Sequence, residues 1–154
     1  MFAVGVSYGA AVALQALPQL PDVAGAWVDS SFGRLQSVMQ RNFSFAPRSS
    51  RQSLMWLANA LIWLDCGFWT TEVNPQDGLD GVRTPIYFCH STSDPQTDFA
   101  EGQALYEAYQ GPKQHFWVED ATREGLSTAA HKEYFRRLRG FIERHLPASE
   151  SGKH

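Results

Sequence analysis

The chain has 154 residues, of which 44% are hydrophobic and 19% are charged, a composition that favours one folded domain over a disordered chain. Thirteen Lys and Arg residues against 16 Asp and Glu residues give a net charge of -3, so the charge does not favour binding to nucleic acid or to an anionic membrane. The two cysteines, Cys66 and Cys89, cannot form a disulfide framework and lack the spacing of metal ligands, which favours a reducing, cytoplasmic compartment and a protein without a metal.

The chain opens with an almost uniformly apolar run from Phe2 to Leu17. The run superficially resembles a secretion signal, but such a signal carries Lys or Arg before its apolar core, and none is there. It is also too short to span a bilayer. Phe2–Val6 is β-prone, whereas the small residues and leucines that start at Tyr8 favour a helix that ends before Pro18. We therefore predict a buried strand followed by a buried helix.

A second strand and a long insert are predicted next. Residues Val23 to Val28 are apolar at successive positions, as in a strand that is covered on both faces, and the run ends at Asp29. The segment from Gly33 to Gly81 is rich in aromatic residues and has a helical pattern from Ser53 to Leu64, after a polar break at residues 47–51. We expect this segment to form a cap or a long loop whose aromatic residues pack on the core.

Strands and helices alternate again after the insert. Pro85 to Cys89 and His115 to Val118 are predicted strands, and they flank a predicted helix from Phe99 to Tyr109. A last helix has one apolar face and four arginines off that face, which we interpret as solvated. The apolar face consists of Tyr134, Phe135, Leu138, Phe141, Ile142 and Leu146, and the arginines are Arg136, Arg137, Arg139 and Arg144. Four strands that alternate with helices predict a mainly parallel sheet.

The strongest chemical signal is a Gly-x-Ser-x-Gly motif from Gly5 to Gly9, between the first predicted strand and the first predicted helix. Such a motif holds its serine, here Ser7, at a sharp and strained turn, where small neighbours prevent clashes. The backbone N–H of Tyr8 then points to the place where the oxyanion of an acyl transfer would form. Ser7 is therefore the candidate nucleophile, and Tyr8 contributes to the candidate oxyanion hole.

From Phe2 to Leu146 the chain resembles the C-terminal half of an α/β-hydrolase, and most resembles the serine aminopeptidase and esterase-like group with its prolyl-oligopeptidase-type relatives. Besides the nucleophile motif, the resemblance rests on Val28–Phe32, on Asn74-Pro75 and on Thr84–Ile86. It implies an α/β fold with a mainly parallel sheet of about four strands, equivalent to strands five to eight of the family. Flanking helices and a helical cap insert would complete the fold. The chemistry of the family needs no cofactor.

The resemblance also implies the extent of the domain. Residues 1–147 would form a partial hydrolase domain, with the cap insert at about 33–81 and a disordered tail at 148–154. Strands one to four of the family have no counterpart in this sequence, and neither has the loop that supplies its other oxyanion N–H. The strand Phe2–Val6 would then lie at an open edge, where it can dock a partner or aggregate. A start codon placed too late, a decayed gene or a second chain that completes the sheet would each explain this pattern.

The resemblance places the catalytic acid after the third strand. The family has a segment similar to His-Gly-x-x-Asp there, and the segment from His90 to Asp94 matches it in length, with Ser91 where glycine is usual. Asp94 is therefore the candidate acid. Asp29 is the alternative, because some relatives take the acid from the preceding strand.

Arg123 occupies the position at which the family has its catalytic histidine. A guanidinium stays protonated at physiological pH and cannot take the proton of a serine hydroxyl. His131 would substitute only if the loop before it were rearranged, and His90 is interpreted as a structural hydrogen-bonding residue. The remaining histidines are predicted in a strand, on the last helix and in the tail: His115, His145 and His154.

Two functions of different classes follow from these residues. The first is a serine hydrolase of ester or amide bonds that acts on an unidentified small molecule or peptide through Ser7 and Asp94. We expect its activity to be impaired, because the base and half of the oxyanion hole are missing. The second is a non-catalytic protein whose edge strand Phe2–Val6 pairs with a partner or with a second copy. A third, weaker hypothesis is a small-molecule binding module built on the aromatic insert.

Overall fold

A four-stranded sheet forms the centre of the chain in a computed structural model that describes residues 1–94, 96–119, 121–122, 125–126 and 128–146. The strands lie in the order of the sequence, and all neighbouring pairs are parallel. They are β1 (Phe2–Val6), β2 (Gly25–Asp29), β3 (Ile86–Ser91) and β4 (Lys113–Val118). The predicted mainly parallel sheet of about four strands is thus confirmed.

Helices connect and cover these strands. They are α1 (Tyr8–Ala16), α2 (Leu35–Asn42), α3 (Arg48–Cys66), α4 (Phe99–Ala108) and α5 (Thr128–His145). Pro18 lies in a 3-10 turn, Leu17–Gln19, that follows α1 directly. A short antiparallel pair that the sequence did not predict, β5 (Ala121–Thr122) and β6 (Gly125–Leu126), follows β4. No helix of the described residues is long and apolar enough to cross a membrane.

The core lies on both faces of the sheet. One layer packs under α1 and α4 and contains Leu14, Val28, Phe88 and Leu105. The other layer packs under α5 and contains Trp27, Tyr87 and Phe141. Successive residues of β2 and β3 therefore point into different apolar layers, which is why these strands are apolar at consecutive positions.

The insert between β2 and β3 differs from its predicted form in two respects. The polar residues at 47–51 do not break the helix, since α3 begins at Arg48. Pro47 stands just before the helix, where its missing N–H removes no helical hydrogen bond. The expected packing of the aromatic residues on the core is wrong for four of them, two of which lie in α3, a helix with no buried residue. These four are Phe45, Trp56, Trp63 and Trp69, which are 39–80% exposed.

The last helix, α5, buries a narrower face than predicted. Tyr134 and Phe141 are buried, but Phe135 and Leu146 are mostly exposed. Arg137 is not a purely solvated residue, because its guanidinium lies over the ring of Phe116. Of the other three arginines, Arg136 and Arg139 form ion pairs on the surface with Glu133 and Glu143, and Arg144 contacts Gln114. The predicted tail at 148–154 lies outside the described residues.

Candidate active site

The candidate catalytic residues gather at one edge of the sheet. In a parallel sheet the carboxyl ends of all strands meet at the same edge, and Ser7 and Asp94 follow β1 and β3 there. Asp29, the alternative acid, is the last residue of β2, which lies between those two strands. Two strand spacings, about 10 Å, therefore separate the strands that carry Ser7 and Asp94. This separation leaves room for a base between a nucleophile and an acid.

Ser7 has the strained backbone that the motif predicts. Its φ is 52° and its ψ is -119°, so it lies in a region that side-chain-bearing residues rarely adopt. The turn is fixed from below, because the N–H of Ser7 donates to the carbonyl of Asp29 at 2.8 Å. It is fixed from above by α1, since the carbonyl of Ser7 accepts the N–H groups of Ala10 and Ala11 at 3.1 and 3.2 Å.

Gly5 is required for this turn, and Gly9 is not required in the same way. A Cβ atom built on Gly5 would overlap the carbonyl oxygen of Gly9 and would lie 2.5 Å from its carbonyl carbon and 2.6 Å from the nitrogen of Ala10. A Cβ atom on Gly9 would meet no described atom within 4 Å. The first glycine of the motif therefore allows the start of α1 to cross close over β1.

Tyr8 is the first residue of α1, so its N–H has no acceptor within the helix. The positive end of the helix dipole lies at the same N–H group, and no acidic side chain in the first turn of α1 offsets it. An anion next to the turn would be stabilised by both effects. The side chain of Tyr8 is half exposed and lies edge-on to the ring of Phe32, with 5.3 Å between the ring centroids.

Asp94 is held in a fixed orientation beyond the end of β3. Its Oδ1 atom accepts the N–H groups of Gln96 and Thr97 at 2.8 and 2.9 Å. Its Oδ2 atom lies 3.6 Å from Nε2 of His90, and 12% of the side chain is exposed. The carboxylate is therefore oriented by two backbone N–H groups.

His90 lies inside β3, although the sequence pattern ended that strand at Cys89. Its side chain is buried, and its Nε2–H donates to the carbonyl of Thr97 at 3.3 Å. The ring packs against Gly102, where a Cβ would lie 3.0 Å from Cγ of the imidazole. These contacts agree with the structural role predicted for His90, since the ring is enclosed and tied to the Asp94 loop.

Asp29 belongs to a partly buried polar network that the sequence did not predict. The hydroxyl of Ser30 donates to its carboxylate at 3.1 Å, and Tyr134 of α5 also hydrogen-bonds this carboxylate. The same tyrosine hydroxyl accepts the indole N–H of Trp27 at 2.8 Å. Burial raises the pKa of Asp29 despite these hydrogen bonds. Trp27 and Tyr134 are 107 residues apart in the sequence, so no local pattern could have predicted their contact. The one available signal was the acidic residue Asp29 at the end of an apolar strand.

The predicted base position, Arg123, lies outside the described residues. His131 is described and is exposed on α5. His115 stacks on Trp117 in β4, and Nδ1 of His145 contacts the carbonyl of Phe141 at 2.8 Å. Among the described residues no histidine is hydrogen-bonded to Ser7. The same described residues contain no group of three or more His, Cys, Asp or Glu side chains that could hold a metal ion.

Comparison with family models gave no match for this chain. Among curated proteins, the uncharacterized protein YqkD of Bacillus subtilis is 26% identical to it over 90 residues. That alignment covers 58% of this chain and 30% of the Bacillus protein. The matched protein thus identifies no activity.

Solved structures share the fold. The esterase domain of a Rhodothermus marinus protein superposes with a TM-score of 0.69 at 15% identity, covering 95% of this chain and 61% of that structure. The acylaminoacyl peptidase of Pyrococcus horikoshii superposes with a TM-score of 0.67 at 13% identity, covering 99% of this chain and 25% of that structure. The chain therefore has part of an α/β-hydrolase fold, as the sequence predicted, and spans less than two thirds of either structure.

Proposed function

We propose that this chain carries the nucleophile and the acid of a serine hydrolase that cleaves ester or amide bonds. The observation that carries the proposal is the backbone of Ser7, at φ 52° between a parallel strand and the start of α1. The Ser7 hydroxyl oxygen attacks the carbonyl carbon of the substrate while its proton passes to water, and the N–H of Tyr8 donates to the oxyanion that forms. The oxyanion then collapses and breaks the bond to the alcohol or amine, which leaves with a proton from water, and a further water molecule hydrolyses the acyl group from Ser7. The esterase and the peptidase that share the fold support this reaction class.

Asp94 is the proposed acid, in preference to Asp29. Two backbone N–H groups hold one oxygen of the Asp94 carboxylate, and its partial exposure leaves the other accessible from the edge of the sheet. The carboxylate of Asp29, which is also partly buried, is instead engaged by the side chains of Ser30 and Tyr134. An acid that orients a histidine needs a free acceptor oxygen at the site, and Asp94 meets this requirement better.

The base limits the activity of this site. A guanidinium at the base position cannot take the Ser7 proton, and loss of the base costs several orders of magnitude in rate. We propose that the chain hydrolyses activated esters slowly and ordinary amides hardly at all. Arg123→His should therefore raise the rate of ester hydrolysis, whereas Arg123→Gln, which removes the charge without adding a base, should not. Equal rates for both variants would contradict the assignment of the base position.

Hydrolysis of a p-nitrophenyl ester tests the nucleophile. The purified chain is compared with Ser7→Ala and with the matched variant Ser30→Ala, because Ser30 also follows a parallel strand with a φ of 52°. Turnover should disappear in Ser7→Ala and persist in Ser30→Ala. Turnover that persists in Ser7→Ala, or that is absent from the unmodified chain and from Arg123→His, would contradict the proposal.

The exposed edge of β1 supports a second candidate function, pairing with a second copy of the chain. Val4 and Val6 are 55% and 58% exposed, and among the described strands β1 pairs only with β2. An apolar edge with unpaired backbone groups favours strand pairing. Light scattering should then show dimers or larger species, which Val6→Lys would dissociate. A single monomeric species that unfolds cooperatively would contradict this function.

A further inference from the structure

A pocket of about 530 Å³ runs along α1, starting next to the candidate nucleophile. One wall is a single face of α1 and of the turn after it, because the lining residues recur every three or four positions. These residues are Tyr8, Ala11, Val12, Gln15, Ala16 and Gln19. The small side chains of Ala11 and Ala16 leave the space that the pocket occupies.

The opposite wall comes from the insert between β2 and β3. Met39 of α2 and Ile62 and Cys66 of α3 line it, and Phe32 lies beside Tyr8 at the end nearest the sheet edge. The insert thus contributes side chains to the pocket in addition to its exposed aromatic surface. This placement gives the insert a part in a candidate small-molecule site, which is the kind of role that the third hypothesis from the sequence assigned to it.

The walls of the pocket are uncharged. None of the described residues that line it is Asp, Glu, Lys, Arg or His. The amide nitrogen of Gln15 is already engaged, since it donates to the carbonyl of Glu72 at 3.1 Å. The described lining side chains offer no charged partner to an ionised ligand, whereas an aliphatic group would gain by leaving water. The volume is also within the range of small-molecule sites.

The pocket begins at the residue that follows the candidate nucleophile. Tyr8 follows Ser7 directly, and α1 leads away from the sheet edge for about 12 Å at 1.5 Å per residue. We propose that this pocket binds the aliphatic acyl chain of the ester whose carbonyl Ser7 attacks. The proposal rests on the proposed function, and it names the substrate class as neutral esters of aliphatic acids with a chain of several carbons.

Cys66 allows the pocket to be tested without catalysis. Its thiol lines the pocket and is exposed, whereas Cys89 is buried. In a Ser7→Ala chain, the rate at which a chromogenic disulfide reagent modifies Cys66 is measured with octanamide or with acetamide present. At ten times its Kd, octanamide should slow the modification about tenfold, and acetamide at the same concentration should leave the rate unchanged. Equal rates with both amides would overturn the proposal, and Cys66→Ser identifies the modified thiol.

A charge placed in the wall provides the second test. Val12 lines the pocket and is 65% exposed, so Val12→Asp should fold and should abolish protection by octanamide. Leu64→Asp is the matched control, because Leu64 is 73% exposed and does not line the pocket. Protection that survives in Val12→Asp would overturn the proposal. Protection of Cys66 without any ester hydrolysis would support the pocket and contradict the proposed function. Ester hydrolysis without protection of Cys66 would support the proposed function and contradict the pocket.

Discussion

Gly5→Ala is the substitution that most directly perturbs the turn at Ser7. The added Cβ would lie 2.5 Å from the carbonyl carbon of Gly9 and 2.6 Å from the nitrogen of Ala10, whereas ordinary contacts begin at 3.4 Å. Both opposing atoms belong to the backbone, so no side chain can rotate away. The first turn of α1 must retreat from β1 by about 1 Å, and overpacking of this kind costs about 1–3 kcal/mol.

The same retreat moves the nucleophile. Displacing a reacting group by about 1 Å lowers a catalytic rate about a hundredfold. Gly5→Ala should therefore lower both the free energy of unfolding and the rate at which Ser7 reacts. Gly9→Ala is the matched control within the motif, because its Cβ meets no described atom within 4 Å. Since Gly9 lies in α1, alanine there should stabilise the chain by up to about 1 kcal/mol.

Urea unfolding and the rate of reaction with a fluorophosphonate measure the two effects. The order of unfolding midpoints should be Gly9→Ala, then the unmodified chain, then Gly5→Ala. If Gly5→Ala unfolds at the same urea concentration as the unmodified chain and reacts equally fast, the close crossing of α1 over β1 does not hold Ser7. Equal losses in both glycine variants would also refute the reasoning, since only one of the two sites is crowded.

Two further predictions concern the partly buried network behind the site. Tyr134→Phe leaves the indole N–H of Trp27 without its acceptor and should lower the free energy of unfolding by about 1–3 kcal/mol. Tyr8→Phe is the control, because the Tyr8 side chain is half exposed; in the same urea titration it should change the free energy of unfolding by less than about 0.5 kcal/mol. Asp29 has a raised pKa, so the folded chain binds more protons than the unfolded chain and its stability falls as the pH rises from about 4 towards that pKa. Asp29→Asn should remove this part of the decline in pH-dependent unfolding curves, and an unchanged slope would contradict the assigned cause.

The sequence predicted the parts of the fold that depend on local pattern. Successive apolar residues identified the four strands of the main sheet, and the Gly-x-Ser-x-Gly spacing identified the turn at Ser7, which the structure places at φ 52°. The end of β3 was missed because His90 and Ser91 are polar, yet they pair with Trp117 and Val118 of β4. A histidine is tolerated inside the strand because its ring is hydrogen-bonded to the Asp94 loop.

Features that depend on distant contacts could not be predicted. The exposure of Trp56 depends on where α3 lies relative to the sheet. The sequence pattern indicates only that the helix has an apolar face, and it does not show whether that face contacts the core. The network of Trp27, Tyr134 and Asp29 joins β2 to α5 across most of the chain. The pocket beside α1 likewise needs the fold of the insert, since neither of its walls is complete without the other.

The most direct test of the central claim is to locate the adduct of a fluorophosphonate on the chain by mass spectrometry. One equivalent should be incorporated, and it should map to Ser7 within the tryptic peptide 1–34, which also contains Ser30 and Ser31. Fragment ions distinguish the three serines. An adduct on Ser30, on Ser31 or outside this peptide, or no adduct after prolonged incubation of the folded chain, would contradict the account of Ser7 as a nucleophile.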